Sequence, residues 1–350
     1  MTIVDPHLHL WDVHDNPRQV RPLVRLAGWN RRLLVTIAKL AFPKDLIAFF
    51  GERNHAVEDY LPDDYLRDAR PAGIERYVHV QAGWKDARPM DPVGETRWLE
   101  SLRRGTASGL AGIVGYADLQ LGERVRDVLD AHRAASPAFR GIRHTLAWHE
   151  SPMVHSFAPV PELSRDRAWR RGFEALVERG LTYDAWLYHS QLPELAALAR
   201  DFPEARIVLC HAGTPVGALG PFHGLGIYSN ERARILDQWR DGIAEVAACP
   251  NVWCKISGLT MPVLGLGYHE GEAKPGAQEL AEVIAPLAKG ALDAFGAERC
   301  MFASNFPVDK VSVDMQTLWA AYAEIVRDRG EDDRRRLFAE NATRFYRLDD

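Results

Sequence analysis

Cysteine is scarce in this 350-residue chain, and none of it is usefully spaced. Cys210, Cys249, Cys254 and Cys300 are the only four. No pair forms C-x-x-C, and a chain this long needs no disulfide staples. Three of them lie in or beside apolar runs (VLC, NVWC, RCMF) and read as buried thiols in a reducing compartment. Long hydrophobic runs are also missing. The most apolar stretch, LLVTIAKLAFPKDLIAFF (33–50), is interrupted by Lys39, Pro43, Lys44 and Asp45, short of the ~20 apolar residues that cross a bilayer. It predicts two short amphipathic helices broken at Phe42–Pro43. There is no excess of basic charge: the net charge of −5 offers no field for nucleic acid or an anionic membrane. No basic segment precedes the first strand-like run, so a cytoplasmic protein is expected. Internal repeats and low-complexity tracts are absent. The dinucleotide signature G-x-G-x-x-G does not follow the first strand, and GLGIYS (224–229) follows no strand at all.

What the chain does contain is alternation. Short apolar runs rich in β-branched and aromatic residues occur at 2–10, 75–82, 112–119, 139–146, 181–188, 206–213, 251–259 and 299–306. Stretches of helical period separate them at 95–107, 124–135, 168–180, 192–203, 232–249 and 277–296, and 315–330 and 332–346 close the chain. Alternating strand and helix implies a parallel sheet with right-handed crossovers. Eight such units predict a single α/β domain over 1–350, a (β/α)8 TIM-type barrel, with an open doubly wound sheet as the alternative. Only the first connection is abnormally long. Residues 13–74 are read as a helical insertion, either a lid over the mouth or a contact in a homodimer.

In such a barrel the chemistry sits where strands end. The first run ends in DPHLHLWD. Residues two apart on a strand face the same way, so His7 and His9 aim at one point, and neutral imidazoles so placed suit a zinc or manganese ion. A third nitrogen comes from His189 or His211. Arg143 and His144 end the fourth run, Asp184 lies in the fifth, and Lys255 and Ser257 end the seventh. Ser304, Asn305 and Asp309 end the eighth. The Arg143 guanidinium suits carboxylate or lactone oxygens. Lys255 is either a substrate clamp or a structural ion-pair partner, and His79 reads as a wall histidine. Trp11, Trp84, Trp148 and Trp186 each fall near a strand end and suggest aromatic walls around a small molecule.

Taken together, DPHLHLWD (5–12), RGIRHTLAW (140–148), YDAWLYHSQLPEL (183–195), IVLCHAGTP (207–215), VWCKISGL (252–259) and CMFASNFPVD (300–309) resemble the amidohydrolase superfamily over nearly the whole chain. The resemblance is to its lactonase-like branch, which includes sugar lactonases and 2-pyrone-4,6-dicarboxylate lactonase. It implies hydrolysis of a lactone or related small carbonyl compound. His7, His9 and His211 would bind one divalent ion, zinc or manganese, or polarise the carbonyl directly, since some members of this branch hold no tight metal. Arg143, His144, Asp184, Lys255, Trp11 and Trp148 would contact substrate.

Two departures from the pattern stand out. No lysine or glutamate ends the fourth strand, so a binuclear centre is not expected. Asn305 occupies the place of the strand-eight acid, and an amide cannot act as a general base. The base must then be His189 or His211, next Asp309, with Asp184 as a further option. The rival readings are metal-dependent decarboxylation of an aromatic acid, and a ligand-binding barrel without catalysis.

Overall fold

A computed structural model describes every residue except Met1, Gln19, Arg53, Asn54, Asp86, Ala87, Pro89 and Asp350. Eight parallel strands pair in chain order: β1 (Ile3–Leu8), β2 (Ile74–Val80), β3 (Leu110–Gly115), β4 (Phe139–Ile142), β5 (Thr182–Ala185), β6 (Arg206–Leu209), β7 (Val252–Ile256) and β8 (Cys300–Phe302). Past the regular ladder, Leu8 bridges Phe306 in parallel and the His9 amide donates to the Phe306 carbonyl (2.8 Å), which joins the last strand to the first. The predicted barrel is therefore present. Its strands are shorter than the apolar runs, because the runs continue as loops at the mouth. At 210–214, for example, the chain leaves the ladder through His211, Ala212, Gly213 and Thr214, all at positive φ.

Four helices occupy the first connection: α1 (Arg21–Ala27), α2 (Arg31–Ala41), α3 (Lys44–Phe50) and α4 (Pro62–Ala69). α2 and α3 break at Phe42–Pro43, where proline cannot extend the upstream helix. α4 belongs to the barrel wall, since its Tyr65 hydroxyl donates to Asp5 on β1 (3.0 Å). The wall continues with α5 (Val93–Arg104), α6 (Val125–Ala135), α7 (Arg167–Glu178), α8 (Leu192–Asp201), α9 (Ser229–Ala247), α10 (Ala277–Phe295) and α11 (Met315–Ile325). α12 (Glu331–Arg335) and α13 (Asn341–Tyr346) end the chain. No described helix is long and apolar enough to cross a membrane.

Two cores result. The larger fills the space between strands and helices. The smaller lies inside the barrel, where Val4, Val78, Val80, Val114, Val208 and Met301 pack on Phe345 and Tyr346 of the C-terminal helix. That helix closes the barrel floor, so any site must open at the opposite end.

β1 has one irregularity of consequence. Val4 points into the barrel and strict alternation would turn His7 outward. The β1–β2 register shifts between Asp5 and Leu8, around Pro6. A bulge adds one residue to one strand, and here it brings His7 inward together with His9.

Candidate active site

The rings of His7, His9 and His211 meet above the inner core. Their centroids are 5.0 Å apart for His7–His9 and 4.6 Å for His7–His211. All three are buried. Burial pushes all three well below the ordinary histidine range, helped by the positive charge of Lys255 and Arg143 at His7, of Arg143 at His9, and of Arg143 and Lys255 at His211, so they are neutral imidazoles.

The partners fix part of the protonation pattern. His9 Nδ1 lies 2.7 Å from the Val80 carbonyl, which only accepts; Nδ1 therefore carries the proton and Nε2 keeps its lone pair. That Nε2 faces Asn305 Oδ1 at 3.4 Å, while Asn305 Nδ2 is buried without a partner. Rotating the amide would let Nδ2 donate to His9. His211 Nδ1 is 2.9 Å from Ser257 Oγ. His211 (φ 56) and Asn305 (φ 58) both occupy the left-handed region, a strained backbone that tends to collect at functional sites. Gly258 makes room for His211: at φ +63 it lies so close that a Cβ there would sit 2.6 Å from His211 Nδ1. Nothing in VWCKISGL marks that glycine as part of the site.

His7 sits between two cations. Arg143 Nη1 lies 3.4 Å from its Nε2, and Lys255 Nζ lies 3.4 Å from its Nδ1. A neutral imidazole accepts at only one nitrogen. One of the two contacts therefore sets donor against donor. Arg143 is otherwise held by Nη2 donating to the Gln81 carbonyl (2.8 Å) and by the Trp186 ring beneath its guanidinium (5.5 Å), and its Nε has no partner.

The other predicted residues divide clearly. Lys255 and Asp184, expected to touch substrate, are spent on each other. Lys255 Nζ donates to Asp184 Oδ2 at 2.6 Å, the Tyr346 hydroxyl donates to the same carboxylate at 2.8 Å, and both side chains are fully buried. Asp184 is therefore committed to an internal ion pair. His144 faces away from the mouth, because successive side chains of the extended segment that follows β4 point to opposite sides. Its Nδ1 accepts from the Leu119 amide and its ring packs on Tyr116 and Trp169 in the helical layer. His189 lies beside His149 and Arg234, and burial lowers it to about 4; the third imidazole of the cluster is His211. Trp11 stacks at 6.5 Å on His9 while its indole N–H donates to the Glu58 carbonyl. Trp148 is pinned through its backbone amide to Gln191. Asp309 is buried in the loop after β8, where Oδ1 accepts from Thr260 Oγ1 (2.6 Å) and Oδ2 has no partner. Burial raises it to about 7 against the opposing pull of the hydrogen bond from Thr260.

The insertion roofs this mouth through α3. Phe49 meets Trp186 at 5.7 Å and Phe157 at 5.0 Å, and Trp186 in turn meets His211 at 6.2 Å. Asp45 pairs with His155 Nδ1 at 2.8 Å. Phe157, absent from the residues singled out by sequence, completes this aromatic wall.

Two groups of described residues bring three potential metal donors within 4.8 Å of one another: His7–Asp184–Cys210 and the partly exposed Asp12–His14–Asp59. The imidazole cluster is not among them. In the buried group, Lys255 Nζ already contacts His7 and Asp184, and burial pushes the Cys210 thiol up to about 12, so it stays protonated.

The family model for amidohydrolases matches residues 4–348. The protein y4mH of Sinorhizobium fredii is 35% identical over 99% of both chains. An L-fucono-1,5-lactonase of Burkholderia ambifaria is 31% identical over 83% of this chain and 86% of its own. A crystal structure of an amidohydrolase from Burkholderia multivorans with bound zinc superposes with a TM-score of 0.69 at 23% identity, covering 99% of this chain and all of that one.

Proposed function

The chain belongs to the amidohydrolase family, and from that premise we propose that it hydrolyses a lactone, with sugar-acid lactones as the substrate class. The relative named for L-fucono-1,5-lactone supports that class. The observation that carries the reading is the buried Arg143 guanidinium, its Nε unpartnered, among three neutral imidazoles at one barrel mouth.

The family and its zinc-bearing neighbour raise the question of a resident divalent ion. His7 does not fit one. A ligating imidazole must turn a lone pair to the metal, whereas both nitrogens of His7 face protein cations. An added dication would also meet the Arg143 guanidinium in a poorly screened interior, while the Lys255 charge is matched by Asp184. The reaction is therefore derived from the protein's own groups.

Arg143 donates to the lactone carbonyl oxygen and stabilises the oxyanion that forms when water attacks. A buried, preorganised donor does this without reorganisation. His9, its tautomer set by Val80, takes the proton of the attacking water at Nε2 and returns it to the departing ring oxygen. Trp186, Phe157 and Phe49 pack together beside His211 and exclude bulk water. The product is a hydroxy acid, which releases one proton at neutral pH.

A pH-stat panel of aldono-1,5-lactones and 2-pyrone carboxylates tests the proposal, with CO2 release from hydroxybenzoates measured in parallel. Saturable proton release from at least one lactone, lost in Arg143→Met, is the expected outcome. CO2 release without lactone opening would reassign the reaction, and inactivity toward both sets would point to a ligand-binding barrel.

A further inference from the structure

Residues 17–44 contain seven arginines and lysines and no aspartate or glutamate, in a chain whose net charge is −5. The total conceals this segregation. The segment forms the hairpin of α1 and α2 and carries exposed apolar side chains: Leu40 (85% exposed), Trp29 (80%), Leu26 (69%) and Leu33 (39%). Leu33 and Leu40 are seven residues apart on α2 and so share a face. Leu34 on the other side is buried, with Val35, Ile37 and Ala38 half-buried. Each exposed leucine follows a cation, as Arg25–Leu26, Arg32–Leu33 and Lys39–Leu40. Some of the charge is already committed: the half-buried Arg18 donates to the Ala82 carbonyl, Arg21 donates to the His14 carbonyl and Lys39 pairs with Glu52. Arg25, Arg32 and Lys44 are exposed.

We propose that this hairpin docks the protein onto an anionic lipid surface. Leucine and tryptophan projecting from a helix with a cationic flank and no acidic residue form the pattern of an interfacial helix, whose apolar side enters the acyl boundary while its cations meet headgroups. Tryptophan favours that boundary. A second copy of the chain suits the face poorly. A two-fold contact sets the same patch against itself, and here it would oppose cations with no carboxylate in the segment to pair them.

Co-sedimentation of the full chain with phosphatidylcholine–phosphatidylglycerol vesicles tests this, with pure phosphatidylcholine vesicles and size-exclusion chromatography in parallel. Binding to the anionic vesicles is expected, at least about tenfold weaker to neutral ones and weakened by high salt. Arg25→Glu/Arg32→Glu and Leu33→Ser/Leu40→Ser should each lower partitioning about tenfold or more. All four positions are exposed, so unchanged thermal unfolding identifies intact variants. Equal binding to both vesicle types, or no binding to either, overturns the proposal. So does a wild-type dimer that Leu33→Ser/Leu40→Ser converts to monomer, an outcome that assigns the face to a second copy.

Discussion

The polar groups of the barrel differ sharply between its buried networks and its mouth. In the interior, the Asp184 carboxylate accepts from Lys255 and Tyr346. Near the β1–β8 seam, Asp5 accepts from the Ser304 amide and hydroxyl and from Tyr65. Donors meet acceptors in both. At the mouth, His7 faces a donor at each ring nitrogen, and Arg143 Nε, Asn305 Nδ2 and Asp309 Oδ2 have no partner. Buried polar groups left unmatched are costly, and a fold retains them where a ligand completes the network.

Mutations should separate the two regions. The largest effect is expected at the mouth: Arg143→Met and His9→Ala should each lower kcat/KM by about a thousandfold or more while the urea midpoint stays near wild type. The interior should respond the other way. Lys255→Met strands the Asp184 carboxylate and should cost roughly 3–5 kcal/mol in urea unfolding, and Asp184→Asn added to it should recover part of that loss.

Asp309 lies between these extremes and reports through pH. Its folded pKa of about 7 exceeds the ordinary 3.8, so the folded state binds this proton more tightly than the unfolded chain. Its contribution is present in full below about pH 4 and is lost as pH rises through about 7. Relative to Asp309→Asn, wild type should therefore lose at most about 4 kcal/mol between those limits. Equal pH profiles for the two proteins would show that the carboxylate ionises freely. The smallest effect is expected at the roof. Phe49→Ala should raise KM several-fold with little change in kcat, because the residue touches the aromatic wall and not the imidazoles.

Much of this was legible in the sequence. The eight strands and the helix break at Phe42–Pro43 follow from periodicity and proline chemistry. The convergence of His7, His9 and His211 follows from strands that end at one mouth. Strand alternation already contains the opposed directions of Arg143 and His144, although proximity in sequence invites reading them as a pair. The Asp184–Lys255 ion pair joins residues 71 apart and needs the barrel closed before it can be seen. Gly258 leaves no trace because its role depends on a positive φ beside a ring from another strand. The basic hairpin was hidden for a different reason: a net charge sums over the whole chain and erases segregation along it.

Arg143 and Lys255 occupy the positions around His7 that a metal would need. Lactone hydrolysis by protein stripped with a chelator and dialysed, with metal content determined on the same sample, tests this most directly. Turnover is expected within about twofold of the untreated enzyme at far less than one metal ion per chain, with no gain on adding zinc or manganese. Activity that disappears on stripping and returns at one equivalent of zinc would contradict it.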